Sequence, residues 1–137
     1  MAIVETQKLT KRYGREEALK ALDLLVEAGD IYGFIGPNGA GKTTTLRILS
    51  TLLAPTFGKA FVDGFDVMKH PYEVKKILGF MPDSFGVYDG MRLVEYLDFF
   101  GAAYKIPRKR RRSIIDDVLQ LTDLASKADD FVSTFSR

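Results

Sequence analysis

The sequence predicts an α/β fold with an all-helical second half. Three observations lead there. A short apolar run at residues 30–36 (DIYGFIG) feeds a glycine-rich loop and then a helical stripe, the strand–loop–helix order of a parallel-sheet protein. Two alternating segments precede it, and after Gly90 the apolar spacing becomes that of helices.

Taken in order, residues 2–14 (AIVETQKLTKRYG) and 17–29 (EALKALDLLVEAG) read as strands joined by a charged turn, the second alternating imperfectly. Residues 30–36 have apolar character on both faces, as a central parallel strand requires. The stripe at 42–53 (KTTTLRILSTLL) places Leu46, Ile48, Leu49, Leu52 and Leu53 on one helix face. A short strand at 58–64 (GKAFVDG) ends on glycine. Pro71 sits where a first helical residue tolerates a missing N–H, and residues 77–82 (ILGFMP) read as another buried strand closed by Pro82. Beyond it, Leu93, Tyr96, Leu97 and Phe100 fall at i, i+3, i+4 and i+7. Pro107 interrupts the pattern, and residues 113–121 resume it with Ile114, Ile115, Val118, Leu119 and Leu121. The run at 108–112 (RKRRR) reads as a solvated linker between the two helices, with contact to anionic headgroups or nucleic acid as the competing reading. These patterns divide the chain into an α/β part, residues 1–85, and a helical part, residues 86–137.

Composition narrows the class. With 46% hydrophobic and 28% charged residues, the 137-residue chain has the balance of a folded domain. A net charge of +2 is too small to imply a nucleic-acid partner, and none is expected. The absence of cysteine removes disulfides and thiolate metal sites. The N-terminal residues lack a signal-peptide pattern, and no apolar run reaches the length of a membrane span.

Chemistry concentrates in GPNGAGKT, residues 36–43, which matches G-x-x-x-x-G-K-[ST] in its required strand-to-helix setting. Gly36, Gly39 and Gly41 let backbone amides converge on phosphate oxygens, with Pro37, Asn38 and Ala40 filling the loop between them. The helix that follows aims its unpaired amides and positive dipole end at the same charge. Lys42 would reach the β- and γ-phosphates, and the Thr43 hydroxyl would ligate Mg²⁺. A nucleoside triphosphate is therefore the expected ligand. A GTPase is one alternative, because DSFG (83–86) fits D-x-x-G and SKAD (126–129) loosely imitates a guanine reader. That reader should end a buried strand, whereas the residues before it have helical spacing.

The stretch from 18 to 67, with GPNGAGKTTT followed by L-x-P-T-x-G at 53–58, resembles the nucleotide-binding domain of ATP-binding cassette (ABC) transporters, closest in flavour to the ATPase subunits of exporters. The resemblance runs from about Ile3 to the last residue. It implies the P-loop NTPase fold of ABC ATPases, with N-terminal antiparallel strands and a helical subdomain. It implies ATP as ligand with Mg²⁺. Tyr13 would stack on adenine, a surface-turn tyrosine being the competing reading. Ala18 would lie near the ribose, and the phosphate cradle would extend through Thr44. Asp83 takes the place of the family's usual Q-loop glutamine. As an oxygen donor it can still ligate Mg²⁺, but it is one methylene shorter and charged; a turn residue after Pro82 is its competing reading.

Phe135, Ser136 and Arg137 align with the first three positions of the family's signature motif, placing Ser136 at the signature serine. The resemblance thus implies a chain that stops inside that motif, before the catalytic glutamate and the switch histidine. His70, the one histidine, reads as a surface residue at a helix start. In the intact protein the resemblance implies a head-to-tail dimer of ATP-binding domains joined to a transmembrane permease. That places it in the cytoplasm, peripheral at the inner face of the cell membrane. The 137-residue piece alone is expected to bind Mg-ATP weakly or not at all and to turn over none. A soluble ABC-type ATPase of translation or repair is the alternative within the family, and a non-catalytic regulator is a third reading.

Overall fold

A computed structural model of the chain describes residues 2–82 and 86–135. These fall into two compact units, Met1–Met81 and Pro82–Arg137.

The first unit is built on a four-stranded antiparallel sheet. Strands β1 (Ala2–Tyr13), β2 (Glu16–Glu27), β3 (Phe57–Val62) and β4 (Phe65–Asp66) lie in the order β2-β1-β3-β4. β1 and β2 form a long hairpin, from Ala2 opposite Glu27 to Tyr13 opposite Glu16, and the turn passes through Gly14 at φ 59°. The imperfect alternation of β2 has a physical cause. The register slips around Leu9, where Lys8 and Ala21 take positive φ, and side chains satisfy the displaced amides. Lys8 N–H donates to Asp23 Oδ1 at 2.6 Å, and Ala21 N–H donates to Thr10 Oγ1 at 3.0 Å.

Helix α1 (Lys42–Leu49) packs on β2 and β3, and α2 (Pro71–Ile77) packs on β4. One core joins them: Leu9, Leu19, Ile48, Ala60, Val62, Val67 and Val74 are buried together. α1 is shorter than the apolar stripe predicts. Thr51 turns into the left-handed region at φ 62°, its N–H bonds to Ile48 O, and Leu52 N–H reaches back to Arg47 O at 2.9 Å. This six-to-one closure satisfies the last carbonyls and ends the helix, so Leu52 and Leu53 leave its face. Ile48 has no exposed surface. Ile48→Ala in the intact protein should cost about 3 kcal/mol, the scale of a buried aliphatic truncation, and lower the thermal midpoint by on the order of 6 °C or more. An unchanged midpoint would contradict this packing.

Two expected strands do not form. Residues 30–36 and 78–82 have no ladder bonds, and Ile31, Ile35 and Met81 are 103%, 93% and 86% exposed. A parallel strand takes its hydrogen bonds from neighbours, and among the described residues neither run finds one. The strand pairing among the described residues is antiparallel.

The second unit pairs α3 (Leu93–Ala103) with α4 (Arg108–Leu121), followed by short 3₁₀ turns at Ala125–Lys127 and Val132–Thr134. Leu93, Ile115, Leu119 and Val132 form its core, with Tyr96 and Leu97 packed beside them. Phe100, fourth on the predicted stripe, is 36% exposed at the rim. α4 starts at Arg108, so the basic run is not a linker. Pro107 supplies the N-cap, and the arginine-rich residues, all good helix formers, make the first turns. The segment after α4 returns to the start of α3. Asp130 O and Ala128 O accept from the first-turn amides of Leu93 and Val94 at 2.9 and 3.0 Å, and Val132 N–H donates to Met91 O at 2.9 Å. Glu95 closes the remaining turn by accepting from Arg92 N–H at 2.8 Å.

Candidate nucleotide-binding site

The glycine-rich loop ends in Gly41, the N-cap of α1, at φ 87°. Only glycine takes this backbone without strain, and the position is crowded as well. A Cβ there would stand 2.6 Å from the carbonyl oxygen of Ala18 and 3.0 Å from a Leu19 methyl. The loop thus rests on β2 near its hairpin end, and Ala18, a predicted site residue, is brought against it. Gly39, also at positive φ, has open space around it, and Ala40 N–H closes a turn onto Pro37 O at 3.2 Å.

No side chain caps α1, and no acidic residue lies in its first turn. The amides of Lys42, Thr43 and Thr44 belong to the first turn, where a helix offers no partner of its own. With the dipole behind them they are suited to receive an anion. Lys42 bends back over the loop: its Nζ donates to the carbonyl oxygens of Gly36 and, at 2.7 Å, Pro37. The ammonium thereby lies over the loop. Thr43 is exposed and Thr44 half-buried. Among the described residues no group of three acidic, histidine or cysteine side chains could hold a metal. The Thr43 hydroxyl, a hard oxygen donor beside the phosphate cradle, fits Mg²⁺, which is bound by few protein ligands plus phosphate oxygens and water.

Sequence reasoning missed Thr45. It is fully buried, and its hydroxyl donates to Gly41 O at 2.9 Å beside the helical bond from its own N–H at 2.8 Å. It ties the helix start to the loop. Three consecutive threonines after the lysine carried the signal, since they sweep too wide an arc for all to face outward. Tyr13, at the end of β1, is half exposed and has the Lys11 ammonium 5.3 Å from its ring centre. That leaves much of its surface free for a flat ligand. His70 is exposed before Pro71, as expected of a surface residue. Asp83 and Ser136 lie outside the described residues. The 126–129 segment follows no strand: Ala125–Lys127 is a 3₁₀ turn, which removes the support for a guanine reader.

The family model described as ABC transporter matches residues 19–137. The chain belongs to the ABC transporter family. A daunorubicin resistance ATP-binding protein of Streptomyces coeruleorubidus is 38% identical over 126 residues, covering 92% of this chain and 40% of that protein. A bacitracin transport ATP-binding protein of Bacillus licheniformis is 37% identical over 134 residues, 98% of this chain and 43% of its own length. The ABC chain described here therefore spans less than half of either relative. Among solved structures, a dimeric ATP-binding cassette in a post-hydrolysis state with ADP and phosphate superposes with a TM-score of 0.79 at 25% identity, over 97% of this chain and 63% of the other. The ABC ATPase form of the P-loop α/β fold is thus shared. No helix among the described residues is long and apolar enough to cross a membrane.

Proposed function

We propose that this chain is the ATP-binding part of an ABC transporter's ATPase subunit, and that the intact subunit hydrolyses Mg-ATP to drive export through a separate permease. The observation that carries the reading is the start of α1: three uncapped amides, a glycine cap seated on β2, and an ammonium held over the loop. Gly36 through Thr44 cradle the phosphates, Lys42 neutralises the β- and γ-phosphates, and Thr43 is the protein's oxygen on Mg²⁺. Tyr13 is the adenine platform, and Ala18 lies by the ribose. Asp83 is assigned to the metal or the attacking water, and Ser136 to the γ-phosphate held by a second copy.

Thr43 would hold Mg²⁺ beside the phosphates, where the ion would supply positive charge against the charge that develops on them. The chain's own residues position the nucleotide and exclude nothing until a second ATP-binding domain closes head-to-tail over it. Nucleotide then shifts the pair toward the closed state, and its loss reopens them. Residues 1–85 form the ATP-binding part in this scheme, and residues 86–137 the helical part that answers to the permease. The assignment places the protein at the cytoplasmic face of the membrane. Support for export comes from relatives named for daunorubicin resistance and bacitracin transport.

Calorimetric titration of the intact protein with Mg-ATP tests the reading, and a titration without heat would reject it. In the same assay Tyr13→Ala should weaken ATP about 10-fold, the scale of one aromatic–base stack, while leaving inorganic triphosphate unaffected. Equal loss for both ligands would remove Tyr13 from the adenine.

A further inference from the structure

The start of α4 goes against local helix electrostatics. Arg108, Lys109, Arg110 and Arg112 are exposed at the end of the helix where the dipole disfavours cations, and no acidic residue lies in the first turn. Arg108 and Arg112 stand four apart, a like-charge pair on one face. Arg111 alone in the run has an ion pair among the described residues, Nε to Asp98 Oδ1 at 2.9 Å, with its stem laid across Gly101 of α3. Among the described residues the other four have no ion pair, nor does exposed Lys105 in the preceding turn. Helical side chains lean toward the N-terminus, which favours charge from this first stretch of α4 at the helix end. In that same turn Tyr104 is 79% exposed.

We propose that this end of α4, with the Tyr104–Lys105 turn beside it, is a docking surface for an anionic lipid bilayer. Unpaired cations held at a repulsive site are accounted for by an external polyanion, and their arrangement favours a plane. They surround a helix end rather than line a groove. The ring of Tyr104, more exposed than Phe99 and Phe100 in the α3 turn before it, suits headgroup depth, where tyrosine is enriched. A single-stranded nucleic acid would call for several stacking rings along a basic track. Outside this run the chain is acidic on balance, with 15 Lys and Arg against 18 Asp and Glu, so its basic surplus lies in the run itself. The attraction is the same whether or not the phosphate loop is filled, so the inference stands apart from the nucleotide reading.

The test is co-sedimentation of the intact polypeptide, without nucleotide, with phosphatidylcholine vesicles that contain or lack phosphatidylserine. The wild type should sediment with the anionic vesicles and be released as salt approaches about 1 M, where screening is nearly complete. Each cation near such a surface raises partitioning about fivefold, so the combined Arg108→Gln, Lys109→Gln, Arg110→Gln variant should lose about 100-fold. Glutamine keeps helix propensity, and an unchanged circular dichroism spectrum separates charge loss from unfolding. Equal sedimentation with both vesicle types, or binding that survives in the triple variant, would overturn the proposal. Loss of duplex DNA binding in that variant, with vesicle binding intact, would overturn it in favour of nucleic acid.

Discussion

Lys42→Ala in the intact protein is expected to lower ATP turnover by about 100- to 1,000-fold, the range found when one charge-stabilising donor is removed from a reacting centre. The lysine is already oriented by the carbonyls of Gly36 and Pro37. Incoming phosphate oxygens need only replace neutral carbonyls as acceptors, and charge-assisted bonds are roughly twice as strong. The loss should therefore follow charge rather than bulk: Lys42→Met, which keeps most of the stem, should fall as far as Lys42→Ala. Steady-state turnover with a Mg-ATP titration checks both variants. Wild-type rates in either would remove Lys42 from the phosphates.

Gly41→Ala is expected to have the second-largest effect, with Gly39→Ala as its control. Both glycines sit near φ 86°, at 87° and 85°. Each alanine thus meets the same left-handed strain, about 1–2 kcal/mol. They differ in surroundings. The Gly39 position is open, whereas the new methyl at Gly41 would stand 2.6 Å from the Ala18 carbonyl oxygen. That oxygen belongs to β2 and moves only if the strand does. α1 must then lift from the sheet, and with it the buried Ile48 and Thr45. Gly41→Ala should abolish measurable Mg-ATP binding and destabilise the intact protein by on the order of 3 kcal/mol, against about 1 kcal/mol for Gly39→Ala. Equilibrium unfolding in urea resolves the two. Equal losses would mean that the loop does not rest on β2 as described.

Much of this was legible in the sequence where the determinants are local. The phosphate loop is specified within eight residues, because glycine freedom, helix dipole and lysine reach all act over one turn. The α3 start and the resumed stripe in α4 were also readable from spacing. What failed depended on distant partners. The 30–36 run has the composition of a central strand, yet strand structure needs a neighbouring backbone, and among the described residues none flanks it. The end of α1 was misplaced because Thr51 adopts a conformation that β-branched residues rarely take. Sequence spacing reads the basic run as a linker because Pro107 interrupts the apolar pattern just before it. Helix propensity carries the helix through these residues instead, with Arg111 in an ion pair to Asp98 of α3.

The return of the chain onto α3 also sets a timetable for synthesis. Leu93 cannot hand its amide hydrogen to Asp130 until 37 further residues have been made, and the same interval separates Arg92 from the Asp129 carbonyl. At translation rates of about 5–20 residues per second, the first residue of α3 is made about 2–7 s before the partner that seals it. During that interval its aromatic face is open to whatever the nascent chain meets.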